Sequence, residues 1–414
     1  MVQRVWGQLK IAGLDKNCII TAGKAQTEIL KSQLGADISI ASEPVRRDTF
    51  PAVVLSCAYI KSELGGKDDD VVAVLPVDPF TENGYFSRVR ELENVLSESG
   101  SDIVLMGAKP TYNSAKYGYI VPEEKAENDI IKVKCFKEKP TEEQAAELIS
   151  GGALWNCGIF CFKIKTVLEN AKPFLSDDSY SYVYDNYEKL PRISFDYQVL
   201  EKCSAISALS FDGYWKDLGT WNTLTEEMKI NAIGNVVLDE SSCGTSVINE
   251  LKLPVVVMGA KNMIVAASPD GILVAEKSRS SFIKESVDKL NLPCMYEERR
   301  WGTIEVINYS TTEENTSAAR KINFFSGMNS SYHYHNRRKE IWTFLKGEGV
   351  MIIEGDVRKV KAGDVVEINS GQKHSLRAFS DIEFIEIQIG GSFADEDINR
   401  LNFDWNEIVK EITS

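Results

Sequence analysis

Three short apolar runs constrain the fold of this chain most: CIITAG (18–23), VVAVLPVD (71–78) and DIVLMGA (102–108). They are rich in Val and Ile, do not alternate with polar residues, and are separated by stretches of helical periodicity such as FSRVRELENVLSES. A strand that is apolar at successive positions must be covered on both faces. Such strands alternating with amphipathic helices predict an α/β, Rossmann-like domain whose mixed to mostly parallel sheet lies between helical layers. Ligands bind these sheets beyond the carboxyl ends of the strands, so the residues directly after the runs are the ones to inspect.

The pattern changes near Gly234. The stretch IGNVVLDESSCGTSVINELKLPVVVMGAKNMIVAASPDGILVAEK has short strands, frequent turn residues and little helical signal, and reads as a β-rich, β-helix-like connector. Beyond about residue 300, GEGVMIIEGDVRKVKAGDVVEINSGQKHS repeats strand and turn at intervals of about 8–10 residues, the spacing of an antiparallel sandwich or barrel. The expected organisation is an α/β domain over 1–230, the connector over 231–295, and an all-β barrel with a short C-terminal helix over 296–414.

Charge and cysteine usage narrow the function. With 47 Lys+Arg against 61 Asp+Glu the net charge is −14, which argues against nucleic acid or an anionic membrane as partner. No apolar run reaches the roughly 18 residues of a membrane span. MVQRVWGQLK lacks the apolar stretch of a signal peptide. Cys18, Cys57, Cys135, Cys157, Cys161, Cys203, Cys243 and Cys294 show no CxxC pairing, as expected for reduced thiols in a cytoplasmic protein.

The chain has only three histidines, and all lie in one region. His333 and His335, two apart in HYH, project from one face of a strand. Glu340 follows after NRRK, and His374 comes from a later strand. Three imidazoles and a carboxylate converging inside a barrel suit Zn²⁺ or another divalent transition metal, with Fe, Mn and Ni the alternatives. Gly327, His333, His335, Glu340 and Gly347 resemble the first cupin motif, and Gly363, Gly371 and His374 the second, with Asn369 where proline is usual.

In the first half, Asp78 stands just past a buried strand and Asp217 sits in the Gly- and Trp-rich turn GYWKDLGTW. Two such carboxylates could hold one Mg²⁺ between a nucleotide's phosphates. Lys139 precedes a proline and a capping box, Thr141 with Gln144, and offers a point charge for a phosphate. Asn156 supplies a hydrogen-bonding amide, and Gly158 permits close backbone approach.

EPVRRDTFPA, LPVDPF, KYGYIVPEE, FKEKP, LWNCGIF, SFDYQVLEK and WKDLGTW occur in an order that resembles the sugar-phosphate nucleotidyltransferases, specifically the mannose-1-phosphate guanylyltransferases. The resemblance runs over essentially the whole chain, including the cupin tail that bifunctional members carry as mannose-6-phosphate isomerase. It implies Arg47 and Thr49 beside guanine and ribose, and Mg²⁺ on Asp78 and Asp217. It further implies Gly118, Asn156 and Gly158 at the sugar ring, Glu138 on its hydroxyls and Lys139 on its phosphate. Asp78, Lys139 and Asp217 would be the catalytic set. The implied partners are GTP and a sugar 1-phosphate, and a homodimer is compatible with the pattern.

The sequence departs from the family in two places. Relatives open with a strand and a loop of the type GGxGxRLWPLS, whereas MVQRVWGQLK aligns with the helix after that loop, so a truncated or internally started chain is expected. Isomerase relatives read Q-x-H-H-H-R-x-E-H-W where this chain has HYHNRRKEIW, with His333 in place of Gln and Asn336 and Arg337 in place of two histidines. Two alternatives to the transferase stay open: an isomerase working through the cupin, and a sugar-nucleotide sensor without turnover.

Overall fold

Six strands form the main sheet of the N-terminal half, in the order Val71–Val74, Leu154–Lys163, Ile103–Ala108, Ile206–Phe211, Ile130–Lys137, Tyr119–Pro122. This computed structural model describes residues 1–35, 37–124, 129–287, 289–290, 294–312, 316–390 and 397–413, in two units, Met1–Gly219 and Thr220–Ser414. The central strand Ile103–Ala108 is buried at every position, and its side chains alternate between two cores. Ile103 and Leu105 pack with Phe50, Val54 and Leu55 of the helix Thr49–Glu63. Val104, Met106 and Ala108 pack with Val5 and Leu9 of the helix Val2–Ala12 and Phe86 and Leu92 of Asn83–Ser99.

Two-sided burial is therefore as the apolar runs predict, and the sheet is mixed. Its parallel share is smaller than the pattern suggests, because only Ile103–Ala108 and Ile206–Phe211 pair in parallel, and the other pairs of the main sheet are antiparallel. Continuous apolarity reports cover on both faces and is blind to strand direction. A separate parallel pair, Ile19–Gly23 with Ser39–Glu43, lies beside the helix Thr49–Glu63, with Thr21 and Ser56 hydroxyls 2.5 Å apart.

In the second unit, Ala232–Ile233, Ser246–Asn249 and Met263–Ser268 pair in parallel, as do Val236–Leu238 and Val255–Val257, around a small core of Val247, Val257 and Val265. Gly271–Glu276 returns antiparallel. A six-stranded and a five-stranded sheet then close as a β-barrel. Phe344, Phe384, Trp342, Met351 and Leu376 fill its interior. The helix Trp405–Thr413 buries Trp405 and Ile408 against Tyr332 and Ile352. Among the described residues no helix is long and apolar enough to cross a membrane.

Candidate active site and metal centre

Asp78 and Asp217 meet although they lie far apart in sequence. The short strand Pro79–Thr81 pairs antiparallel with Trp215–Asp217, and Asp217 stands opposite Pro79, the neighbour of Asp78. Gly219 N–H donates to Asp217 Oδ1 at 2.7 Å, which fixes the carboxylate. Burial pushes the Asp217 carboxyl up and the charge of Asp78 adds to this, against the pull of the Gly219 N–H, Lys116 and Lys139. A carboxylate crowded by a second one is where a divalent cation relieves the repulsion.

The expected sugar-side residues also come together. Asn156 N–H donates to Gly118 O at 2.8 Å, because the end of Leu154–Lys163 pairs with Tyr119–Pro122. A Cβ at Gly118 would lie 2.5 Å from Glu138 Oε2, so glycine there admits the Glu138 carboxylate. The Glu138 side chain is 9% exposed and pairs with Lys139 Nζ at 3.2 Å. Burial raises its carboxyl against the opposing charge of Lys139. Asn156 Oδ1 accepts from Gly158 N–H at 3.1 Å and closes a turn in which Gly158 takes φ +72°, a conformation that favours glycine. Lys139 adopts φ +44° directly before Pro140, a left-handed backbone unusual for any residue but glycine and disfavoured again ahead of proline.

Arg47 and Thr49 both contact the segment that leads to Asp196. Arg47 Nε donates to Leu190 O at 3.2 Å, and Thr49 Oγ1 accepts from Phe195 N–H at 2.8 Å. Each thus has one polar atom engaged with the segment 190–195.

In the barrel, His333, His335 and His374 bring ligand nitrogens within 4.8 Å of one another. The Nδ1 atoms lie 2.8 Å from Ser331 O, 3.1 Å from Asp397 O and 3.0 Å from Gln372 O. A carbonyl oxygen only accepts, so these contacts put a ring proton on Nδ1 and leave Nε2 as the nitrogen turned to the centre, with Arg338 Nη2 3.3 Å from that of His335. Glu340 Oε1 lies 3.1 Å from His335 Nε2, and Oε2 lies 3.6 Å from His374 Nε2. His374 Nε2 is buried without a hydrogen-bond partner among the described residues. Burial, reinforced by the other two imidazoles, holds His333 well below the ordinary histidine range. Three imidazole nitrogens and a carboxylate gathered in a dry interior are a donor set that fits a divalent metal.

A family model described as nucleotidyl transferase matches residues 1–232, over half of the 414-residue chain. The chain belongs to the nucleotidyl transferase family. A cupin domain matches residues 326–387, the span that holds the three histidines and Glu340. Mannose-1-phosphate guanylyltransferase from Klebsiella pneumoniae is 29% identical over 397 residues, covering 88% of this chain and 82% of its own length. Alginate biosynthesis protein AlgA from Pseudomonas putida is 27% identical over 437 residues, covering 97% and 88%. A solved structure from Thermus thermophilus, described as a mannose-1-phosphate geranyltransferase, superposes with a TM-score of 0.58 at 23% identity over 70% of this chain and 88% of that one. At that identity the likeness concerns the fold.

This nucleotidyl transferase has further site residues that the sequence reading passed over. Lys116 acts on the Asp217 carboxylate, and its loop is docked by Tyr117, whose ring lies 5.6 Å from Trp215 on the strand of Asp217. In the barrel, Arg338 Nε donates to Glu340 Oε1 at 3.2 Å, and Gln388 Nε2 donates to the same oxygen at 2.9 Å. Trp342 Nε1 donates to Oε2 at 3.1 Å. Burial and the Glu340 charge push the buried Glu386 carboxyl up to about 8. The alternation in FIEIQIG, which puts Glu386 and Gln388 on the inward face with Phe384, is the signal that would have found two of them.

Proposed function

We propose that this protein transfers a guanylyl group from GTP to mannose 1-phosphate, forming GDP-mannose and pyrophosphate in the cytoplasm. The observation that supports it most is the meeting of Asp78 and Asp217 across the pair Pro79–Thr81 and Trp215–Asp217. These two carboxylates would hold Mg²⁺, which supplies charge neutralisation at the phosphates when bound. Glu138 and the Asn156 amide would hold the sugar hydroxyls, and Lys139 would hold the sugar phosphate. That phosphate's oxygen attacks the α-phosphorus of GTP and pyrophosphate leaves, so the residues contribute alignment and charge and need form no covalent intermediate. The relatives' names support these substrates, and the convergence of Asp78, Lys139 and Asp217 favours turnover over a sensor. Pyrophosphate release with Mg²⁺, GTP and mannose 1-phosphate tests it. Asp217→Asn is expected to lower release about 100-fold or more, and release unaffected by that change would refute the assignment.

A second activity, isomerisation of a sugar phosphate, is favoured by the barrel's donor set together with Glu386, a buried carboxyl linked to Glu340 through the Gln388 amide. It predicts mannose 6-phosphate isomerisation that follows metal loading and is lost in His374→Ala. Isomerisation at full rate in that variant would exclude the barrel.

A further inference from the structure

The segment SFDYQVLEK has so far no role, and its structure gives it one. Ser194 Oγ accepts from Tyr197 N–H at 3.3 Å and caps the short helix Phe195–Gln198. Phe195 is fully buried, with its ring 5.0 Å from Phe160 and 5.4 Å from Phe162. Those two rings belong to Leu154–Lys163, the strand that carries Asn156 and Gly158. The Phe195 N–H is held by Thr49 Oγ1. The turn is thus pinned on two sides, and it delivers the next residue, Asp196, to the sugar-side group. Asp196 Oδ1 accepts from Asn156 Nδ2 at 3.0 Å.

That contact determines which way the Asn156 amide faces. A side-chain amide can turn over by 180°, exchanging acceptor for donor at little cost unless its partners discriminate. Here both ends discriminate: Gly158 N–H can only donate, so it selects Oδ1, and Asp196 Oδ1 is placed to accept, so it selects Nδ2. One Nδ2 hydrogen is then used by the protein and the second is left for a ligand. The charges of Glu138 and Lys139 also act on the Asp196 carboxyl. Two carboxylates, an oriented amide and a lysine, linked by the Asn156–Asp196 and Glu138–Lys139 contacts, are suited to a polyhydroxylated ligand that carries a phosphate, with hydroxyls donating to the acids and phosphate oxygens meeting the lysine.

We propose that Asp196 is a positioning residue of the sugar-phosphate pocket, orienting the Asn156 amide through its carboxylate and supplying, with Glu138, the acceptor pair that selects a phosphorylated sugar. The proposal rests on the transferase function above. The two fail differently, because Asp196 concerns the sugar phosphate and leaves the nucleotide aside.

The test uses the full chain and titrates mannose 1-phosphate and Mg²⁺-GTP separately by calorimetry, with steady-state KM values for both. Asp196→Leu removes the acceptor, whereas Asp196→Asn keeps an acceptor oxygen for the Asn156 amide and turns its own amide toward Glu138. Expected are a loss of sugar-phosphate affinity of about tenfold or more in Asp196→Leu, GTP affinity within about twofold, and recovery to within about threefold in Asp196→Asn. A merely structural role would weaken both substrates together and would not be rescued by Asn. The proposal is overturned if Asp196→Leu binds mannose 1-phosphate as the unaltered protein does, if both substrates weaken equally, or if Asp196→Asn is as impaired as Asp196→Leu. If Asp196→Leu does not fold, Asp196→Ser, too short to reach the amide, takes its place with the same expectations. Unaltered protein that binds neither compound would refute the transferase function and this proposal with it.

Discussion

Glu340→Gln in metal-depleted protein tests the electrostatics of the barrel most directly. The Glu340 side chain is 2% exposed and Arg338 is 3% exposed, so neither charge is served by water. Burial pushes the Glu340 carboxyl up, yet the contact with His335 and the charges of His374, His335 and Arg338 outweigh it and hold the group below the usual carboxylate range. Stability from such a group is present above its ordinary value near 4.5 and is lost as pH falls through the depressed one, so near pH 7 the pair contributes fully. Removing one partner of a buried ion pair costs about 3–5 kcal/mol, because the other charge is left stranded. The Glu386 carboxyl, on which the Arg338 charge also acts, takes up part of that charge once Glu340 is neutral, which places the expectation at the lower end, about 3 kcal/mol. For a unit the size of Thr220–Ser414, at about 2–4 °C per kcal/mol, the transition should fall by about 6–12 °C. Scanning calorimetry after chelation reads this shift, and a zinc titration reads the companion effect, a loss of metal affinity of about 100-fold. A variant that melts within about 2 °C of the unaltered protein and binds zinc equally well would show that Glu340 is neither the counter-charge of Arg338 nor a ligand.

Two further outcomes are expected. Burial, helped by the Glu138 charge, raises the Asp196 carboxyl from about 3.8 to about 7, so the folded protein retains a proton that the unfolded chain has lost. This contribution is fully present below about 3.8 and disappears as pH rises to about 7, and melting followed from pH 4 to pH 8 should decline less in Asp196→Asn than in the unaltered protein. Equal declines would contradict the raised value. Gly158→Ala meets no backbone obstacle, since its Cβ would sit 3.5 Å from Pro76 Cγ, yet it forces alanine to φ +72°. A destabilisation of about 1–2 kcal/mol is expected in urea unfolding, and no change would mean that the turn relaxes without strain.

Several of these features could be read in the residues themselves. DIVLMGA announced a strand covered on both faces, and Ile103–Ala108 is buried throughout. Strand direction was illegible, because direction resides in hydrogen bonding and leaves no mark on apolarity. HYH forecast imidazoles on one strand face, which the barrel brings near His374. Arg338 was hidden in NRRKE, which looks like a solvated charge run until the register turns alternate residues inward. The meeting of Asp78 with Asp217 depends on a three-residue strand pair that no local pattern encodes, and only the order of motifs hinted at it. Asp196 lay inside a quoted motif, but its role depends on an amide forty residues away in sequence.

The left-handed backbone at Lys139 has a consequence for anyone who wishes to harden this protein. Glycine is the residue that adopts positive φ most readily, and by that rule Lys139, at φ +44° before a proline, and Asp48, at φ +78° at the start of a helix, invite replacement by glycine. Both changes would relax the backbone, and the first would also remove the cation that pairs with Glu138. A thermostability screen that scores melting alone would therefore favour variants stripped of the Glu138–Lys139 pair, and Lys139 belongs on its exclusion list.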